Sequence, residues 1–290
     1  MTVLRPARAV RLSAISVSRR VGRLLALAPR GSIIATFPRS CYVELGRRII
    51  AVVAAELLNG PLNLVVALPP ATTLTNLPVR GAVEVRARVL EIGGGWRIDT
   101  ARAHLWDARL TPLAGTAGLG SRLASIQTML DANAPPESIA RARGQPERAT
   151  DAMARLATGV RRGDAAEAGR AAQDLAGLGP GLTPSGDDVL AGTLLAVAVL
   201  GPAHAQGFRD SILASVRGRT TRISEAYLEA AAAGEAGEAW HRLLAILRAD
   251  GAAGAADDLR AAVQCILAFG ETSGADMLAG FSLAMTALLP

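Results

Sequence analysis

The chain has 290 residues, 50% hydrophobic and 19% charged, a balance that excludes extended disorder and leaves room for one large domain or two of middle size. Its net charge of +6 is carried by arginine without any lysine, and it is local: ten Arg against one acid, Glu44, give the first 50 residues +9 and leave −3 for the rest. With aromatic residues at 3% and no recognition motif, this basicity lacks the stacking groups of a nucleic-acid face, so no nucleic-acid partner is expected.

The arginine-rich, acid-poor start, with Arg5, Arg8, Arg11, Arg19, Arg20 and Arg23 among apolar residues, imitates a transit peptide. An amphipathic helix over residues 17–27, its arginines facing water, accounts for the same pattern within a folded domain. From Ser32 to about Thr111 the signals are extended: residues 32–37, 41–45, 63–67 and 82–89 are rich in β-branched residues, several alternating with period two. Turn residues punctuate them at Asn59-Gly60-Pro61, Pro69-Pro70 and Gly93-Gly94-Gly95. Residues 47–58 read equally as strand or helix.

After Pro112 the composition turns to Ala, Leu, Arg and Glu, with helical windows at residues 121–132, 147–158, 165–175, 188–200, 209–216, 224–233, 237–248, 255–269 and 276–289. Pro135-Pro136 and Gly144-Gln145-Pro146 mark loops among them. The expected fold is α+β: a mainly antiparallel β domain over residues 1–112 with a short N-terminal helix, then a larger α-helical domain over residues 113–290. The functional site is expected at or near their junction.

The longest apolar helical run, residues 189–200, stops at Gly201-Pro202, well short of the roughly 18 residues that span a bilayer, so no membrane segment is read and a cytoplasmic location is expected. Cys41 and Cys265 are far apart and have no partners at metal-ligand spacing, which fits a reduced compartment and two small apolar roles.

Within the helical part, residues 185–196 and 273–284 match without a gap at Ser, Gly, Asp, Leu, Ala, Gly, Leu and Ala, in a constant register of 88 residues. A duplicated helical hairpin, or two helix starts facing one site, would produce it. A structural account also exists: Ser185 with Asp188, and Ser273 with Asp276, fit the Ser-x-x-acid capping pattern. That account gives no reason for Gly179-Pro180-Gly181-Leu182-Thr183-Pro184 or for the additional Asp187.

A glycine turn that exposes amides beside a helix N-terminus makes an anion cradle, the alternative being a purely structural elbow. Gly179, Gly181, Thr183, Ser185 and Gly186 would face the anion; the terminal Lys of a P-loop is missing. Asp187 beside a phosphate would have to face away, be protonated, or hold a bridging cation such as magnesium. Asp187 and Asp188 are the candidate catalytic acids, orienting the loop or a metal. Arg219 and Arg222, in Arg217-Gly-Arg-Thr-Thr-Arg-Ile-Ser224, would take a carboxylate or phosphate, or else belong to an ordinary helix junction in which Thr221 or Ser224 caps the next helix. Ser273 and Asp276 join the binding set through the repeat. His104, His204 and His241 share no metal-binding or triad spacing, and Asp257-Asp258 reads as a solvated helix face.

The string Gly177-Leu-Gly-Pro-Gly-Leu-Thr-Pro-Ser-Gly-Asp-Asp-Val-Leu-Ala-Gly192 resembles the signature of a bacterial domain-of-unknown-function family that includes the AllH-type subunit of oxamate carbamoyltransferase. Phe37-Pro-Arg-Ser-Cys-Tyr42, Asn59-Gly-Pro61 and Gly270-Glu-Thr-Ser-Gly-Ala-Asp276 extend the resemblance over most of the chain. It implies a subunit working beside FdrA-like and second subunits in allantoin catabolism, where oxalurate and phosphate are interconverted with oxamate and carbamoyl phosphate. The alternative is a non-catalytic regulatory or scaffold subunit that binds a small anion or partner proteins.

Overall fold

The structure, a computed structural model, describes residues 10–27, 30–93, 95–141, 147–201, 205–249 and 255–289. Arg5, Arg8, Gly94, Gly144-Gln145-Pro146, Pro202 and His204 lie outside the described residues. The chain divides into two compact units, Met1–Ala108 and Arg109–Pro290.

Among the described residues the first unit forms a nine-stranded sheet: β1 (Val10–Ser18), β2 (Arg30–Thr36), β3 (Ser40–Leu45), β4 (Arg48–Ala54), β5 (Asn63–Val66), β6 (Ala82–Arg86), β7 (Val89–Ile92), β8 (Trp96–Asp99) and β9 (His104–Trp106). The strands run in the order β5-β4-β3-β2-β6-β7-β8-β1-β9, and β1 also pairs with β5, which closes the sheet into a barrel-like ring. Inward-facing Leu12, Ala14, Ile33, Cys41, Val43, Leu45, Leu64 and Ile98 fill it. Helix α1 (Arg19–Leu27) buries Val21 and leaves Arg19 and Arg23 exposed, so these two arginines belong to the folded unit.

Three expectations are corrected here. The sheet is mixed, because β1 runs parallel to both β8 and β9, and β4 runs parallel to β5. Residues 82–89, which read as one strand, are the hairpin β6–β7, turned at Ala87 and Arg88 with φ +46° and +67°. Two-residue hairpin turns need positive φ, and here it is reached without the Gly or Asn that would have signalled it. The β1 strand was missed because its apolar–polar alternation breaks in the second half, where Ile15 is exposed and Ser16 and Ser18 are buried. The ambiguous stretch 47–58 resolves into β4 and a short 3-10 turn, Ala55–Leu57. Ile49 to Ala54 are buried on both faces, so no period-two signal existed to separate strand from helix.

The second unit is helical: α2 (Leu119–Asn133), α3 (Glu147–Arg162), α4 (Ala165–Leu175), α5 (Ser185–Leu200), α6 (Ala205–Val216), α7 (Arg222–Ala232), α8 (Glu238–Arg248), α9 (Ala255–Leu267) and α10 (Ser273–Leu288). Each occupies an expected window, shifted by a few residues at its ends. Helices α5 and α10 are apolar nearly all round, as central helices must be, and the others surround them with one apolar stripe each. Among the described residues no helix is long and apolar enough to cross a membrane.

The 88-residue repeat is visible as packing. A Cβ on Gly192 of α5 would lie 1.8 Å from the Met277 carbonyl oxygen, and a Cβ on Gly280 of α10 would lie 2.0 Å from the Val189 carbonyl oxygen. Met277 is the counterpart of Val189 at the same offset, so the two helices cross backbone to backbone with reciprocal glycines. Each repeat also seats its helix start on the preceding helix. A Cβ on Gly186 would meet the Leu175 carbonyl oxygen at 2.0 Å, and one on Gly274 the Ile266 carbonyl oxygen at 1.9 Å.

Candidate functional site

The turn from α4 into α5 is built by backbone conformations that side chains resist. Gly177, Gly179 and Gly181 have φ of +71°, +113° and +96°, and a Cβ on Gly177 would lie 2.5 Å from the Arg219 carbonyl oxygen. Pro184 ends the turn: its carbonyl accepts the amides of Asp187 at 2.9 Å and Asp188 at 3.1 Å, closing the first turn of α5. Gly179, Pro180, Gly181 and Leu182 are exposed. The amides of Gly179, Gly181, Leu182 and Thr183 donate to no acceptor among the described residues. The Gly186 amide, by contrast, donates to the Leu178 carbonyl at 2.9 Å, so Gly186 serves the close packing on α4 and has no amide left for an anion.

Asp187 turns away from the exposed face and ties the turn down. Its carboxylate accepts the Gly177 amide at 3.0 Å, the Ser224 hydroxyl at 2.8 Å, and the Thr220 hydroxyl. The residue is only 1% exposed, and burial raises its pKa above the ordinary carboxylate range while the three donors oppose the rise. Both Asp187 oxygens thus already accept N–H or O–H donors within the fold. The Thr221 hydroxyl donates to the Leu182 carbonyl and accepts the Ser224 amide at 3.0 Å, capping α7. The 217–224 segment is thus the clamp of the glycine turn, and it displays Arg219 and Arg222 on the exposed side of that clamp.

The capping account of the repeat does not hold. Ser185 and Ser273 lie inside their helices, preceded by Pro184 and Thr272, and neither N-cap makes a side-chain hydrogen bond. Their hydroxyls turn to the other repeat: Ser273 opposes the rise that burial gives the Asp188 pKa, and Ser185 does the same for Asp276. Thr183 lies 2.9 Å from Ser273, and Ser185 lies 3.5 Å from Thr272, hydroxyl to hydroxyl. The two Ser-Gly-x-Asp helix starts therefore converge.

Asp188 and Asp276 are 4% and 0% exposed, and each retains an Oδ2 without a hydrogen-bond partner. Burial pushes the Asp188 pKa well above the ordinary range; Ser273 opposes this, and the like charges of Asp276 and Asp187 add to it. Asp276 is raised by burial too, against donors that include the Ser138 hydroxyl at 2.5 Å and the Ala140 amide at 3.4 Å. Ser138, Thr220 and Thr272 were not singled out in the sequence; Ser138 follows a Pro-Pro loop signal 138 residues from Asp276 and carries no local mark.

Every one of these residues belongs to the helical unit. His104 lies on exposed β9 and His241 on α8, remote in sequence from the turn, and Asp257 and Asp258 are exposed on α9. Cys41 is buried and Cys265 partly buried, both as free thiols. No group of three or more His, Cys, Asp or Glu is placed to hold a metal among the described residues.

Residues 175–285 match the oxamate carbamoyltransferase subunit AllH family, which is the family that the glycine-turn signature resembles. The match begins at the end of α4 and runs through the turn, the 217–224 clamp and most of α10. No solved structure matches the chain.

Proposed function

We propose, from the match of residues 175–285, that the chain is a subunit of an oxamate-carbamoyltransferase-like enzyme and that the turn 177–184 is its anion-binding element. The observation that carries this reading is the set of unengaged amides at Gly179, Gly181, Leu182 and Thr183, in a turn exposed over residues 179–182 and held at the N-terminus of α5 by the Asp187 anchor. Such amides favour an oxyanion by direct donation and through the helix dipole.

In the reaction, a phosphate oxygen attacks the carbamoyl carbon of oxalurate. The C–O bond forms as the bond to the oxamate nitrogen breaks, and that nitrogen takes a proton. The chemistry needs positioned reactants and donors aimed at developing oxygen charge, which the turn supplies for the phosphate. Arg219 and Arg222 supply guanidinium groups for the oxamate-like carboxylate. Catalysis is cytoplasmic in this reading and is completed with FdrA-like and second subunits.

The burial of Asp187 and Asp188 favours a second reading, in which this subunit binds the anion and another subunit provides the reacting groups. One experiment addresses both. The isolated chain is titrated calorimetrically with phosphate and carbamoyl phosphate, and the reconstituted assembly is assayed for phosphate-dependent carbamoyl phosphate formation from oxalurate. Saturable binding by the isolated chain, with turnover only in the assembly, is expected. No anion binding in either form, together with turnover that persists when this chain is omitted, would overturn both readings.

A further inference from the structure

We propose that the convergence of Asp188 and Asp276 is a buried cation site, suited to a hard divalent ion of the magnesium or calcium class. This goes beyond the anion-binding turn and concerns a different set of atoms: the inner faces of the two helix starts, away from the exposed amides.

The inference begins with two atoms that the fold leaves unsatisfied. Asp188 Oδ2 and Asp276 Oδ2 are enclosed and unpartnered, in residues 4% and 0% exposed. A buried carboxylate oxygen without a partner is costly, and native structures answer it with a donor, water or an ion. The charged groups acting most strongly on Asp188 are Asp276 and Asp187, both of its own sign. The groups on Asp276 are the hydroxyls of Ser138, Ser185 and Thr272 and the Ala140 amide.

The surrounding donor set is made of oxygen alone. Thr183 and Ser273 face Asp188, and Ser185 and Thr272 face Asp276, so two carboxylates and four hydroxyls meet where α5 and α10 begin. Carboxylate and hydroxyl oxygens without imidazole or thiolate select hard cations over zinc or copper. When both carboxyls ionise the pair carries −2, which a divalent ion would neutralise in place of the protons that burial favours. Asp187 is excluded because its oxygens are taken by the Gly177, Thr220 and Ser224 donors. The Thr183–Ser273 and Ser185–Thr272 contacts cross between the two helix starts, which brings the hydroxyls of both repeats together.

The test uses the full-length chain, freed of metal by chelation and dialysis, and reads its thermal midpoint and calorimetric heats with Mg²⁺, Ca²⁺ and, at matched ionic strength, K⁺. The expected result is saturable binding of one Mg²⁺ or Ca²⁺ per chain, raising the midpoint by several degrees. Asp188→Asn and Asp276→Asn should lose that rise, and the surface control Asp257→Asn should keep it. Should either Asn variant fail to fold, Ser185→Ala and Ser273→Ala provide the milder series, with binding weakened severalfold. The absence of any divalent binding by the wild-type chain would overturn the proposal, as would binding undiminished in all four site variants or a response to K⁺ alone. Because the readout is cation binding by the chain itself, failure here is distinguishable from failure of the transferase reading, which is measured by phosphate binding and turnover.

Discussion

The Thr183 hydroxyl, just before α5, lies 2.9 Å from the Ser273 hydroxyl at the start of α10, and the Ser185 and Thr272 hydroxyls meet at 3.5 Å between the same two helix starts. A repeat that kept its serines for capping would satisfy each helix locally. Here each serine serves the other helix, so the two copies complete one another and neither helix start is whole alone. The reciprocal glycines one to two turns further along impose the close approach that makes this exchange possible.

The crossing sets a strict steric limit. Gly192→Ala and Gly280→Ala would place a methyl group 1.8 Å and 2.0 Å from carbonyl oxygens of the facing helix, where only backbone movement relieves the clash. Overpacking of this kind costs about 1–3 kcal/mol where side chains can adjust, and a cost at or above the top of that range is expected here. Gly207→Ala on α6 meets its nearest heavy atom outside its own helix, Ala165 Cβ, at 3.7 Å and should be neutral or stabilising by about 0.5 kcal/mol. Urea unfolding of the three variants checks the order; a Gly192→Ala protein as stable as Gly207→Ala would contradict the crossing.

Acid sensitivity has a defined contributor in the helical unit. The Arg155 guanidinium at 2.5 Å, helped by Arg148 at 3.2 Å, holds the Asp174 pKa below its ordinary value. A depressed carboxylate pKa contributes stability that is present above the ordinary value and lost as pH falls through the lowered one. The Asp174 side chain is 34% exposed, so screening limits the effect to about 0.5 kcal/mol. Asp174→Asn should therefore be slightly less stable than wild type at pH 7, with the difference vanishing near pH 2–3 in thermal melts. A difference that grew on acidification would reverse the assigned sign.

Much of this architecture was legible because its signals are local. The helical windows follow apolar periodicity, and Thr221 caps α7 as its position in the sequence suggests. The glycine turn was legible because positive φ at three of its positions leaves glycines that composition alone would not place. The rest depended on distant partners. Nothing adjacent in sequence announces that Ser138 holds Asp276, that Thr220 and Ser224 hold Asp187, or that Gly186 is a packing glycine. The Ser-x-x-acid spacing misled because capping and cross-helix pairing use the same residues at the same interval, and only the α5–α10 crossing distinguishes them.

The two thiols should separate cleanly by reactivity. Cys41 is fully enclosed in the barrel interior, where burial pushes its pKa up to about 12, so the reactive thiolate is scarce at pH 8. Cys265, on α9, is partly exposed. Native protein is expected to incorporate one equivalent of iodoacetamide, at Cys265, and the second only in denaturant. Rapid labelling of Cys41 in native Cys265→Ser protein would show that the barrel opens.

Asp187 should prove an anchor whose loss reaches the site through the turn. Removing its carboxylate in Asp187→Ala strands the Gly177 amide and the Thr220 and Ser224 hydroxyls together. Hydroxyls can rotate toward other acceptors but the amide cannot, so a cost on the order of 2–3 kcal/mol is expected, too little to unfold a well-packed helical unit. Thr220→Ala removes one donor and should cost about 1 kcal/mol. Amide exchange should then quicken at Gly177 in Asp187→Ala far more than in the α5 interior, and phosphate affinity should fall with it, because amides on a loosened turn no longer converge. Activity of the reconstituted assembly should be lost in the same variant while its helical circular dichroism persists. Wild-type exchange at Gly177 in Asp187→Ala would remove the anchor, and turnover retained alongside loosened exchange would detach the turn from catalysis.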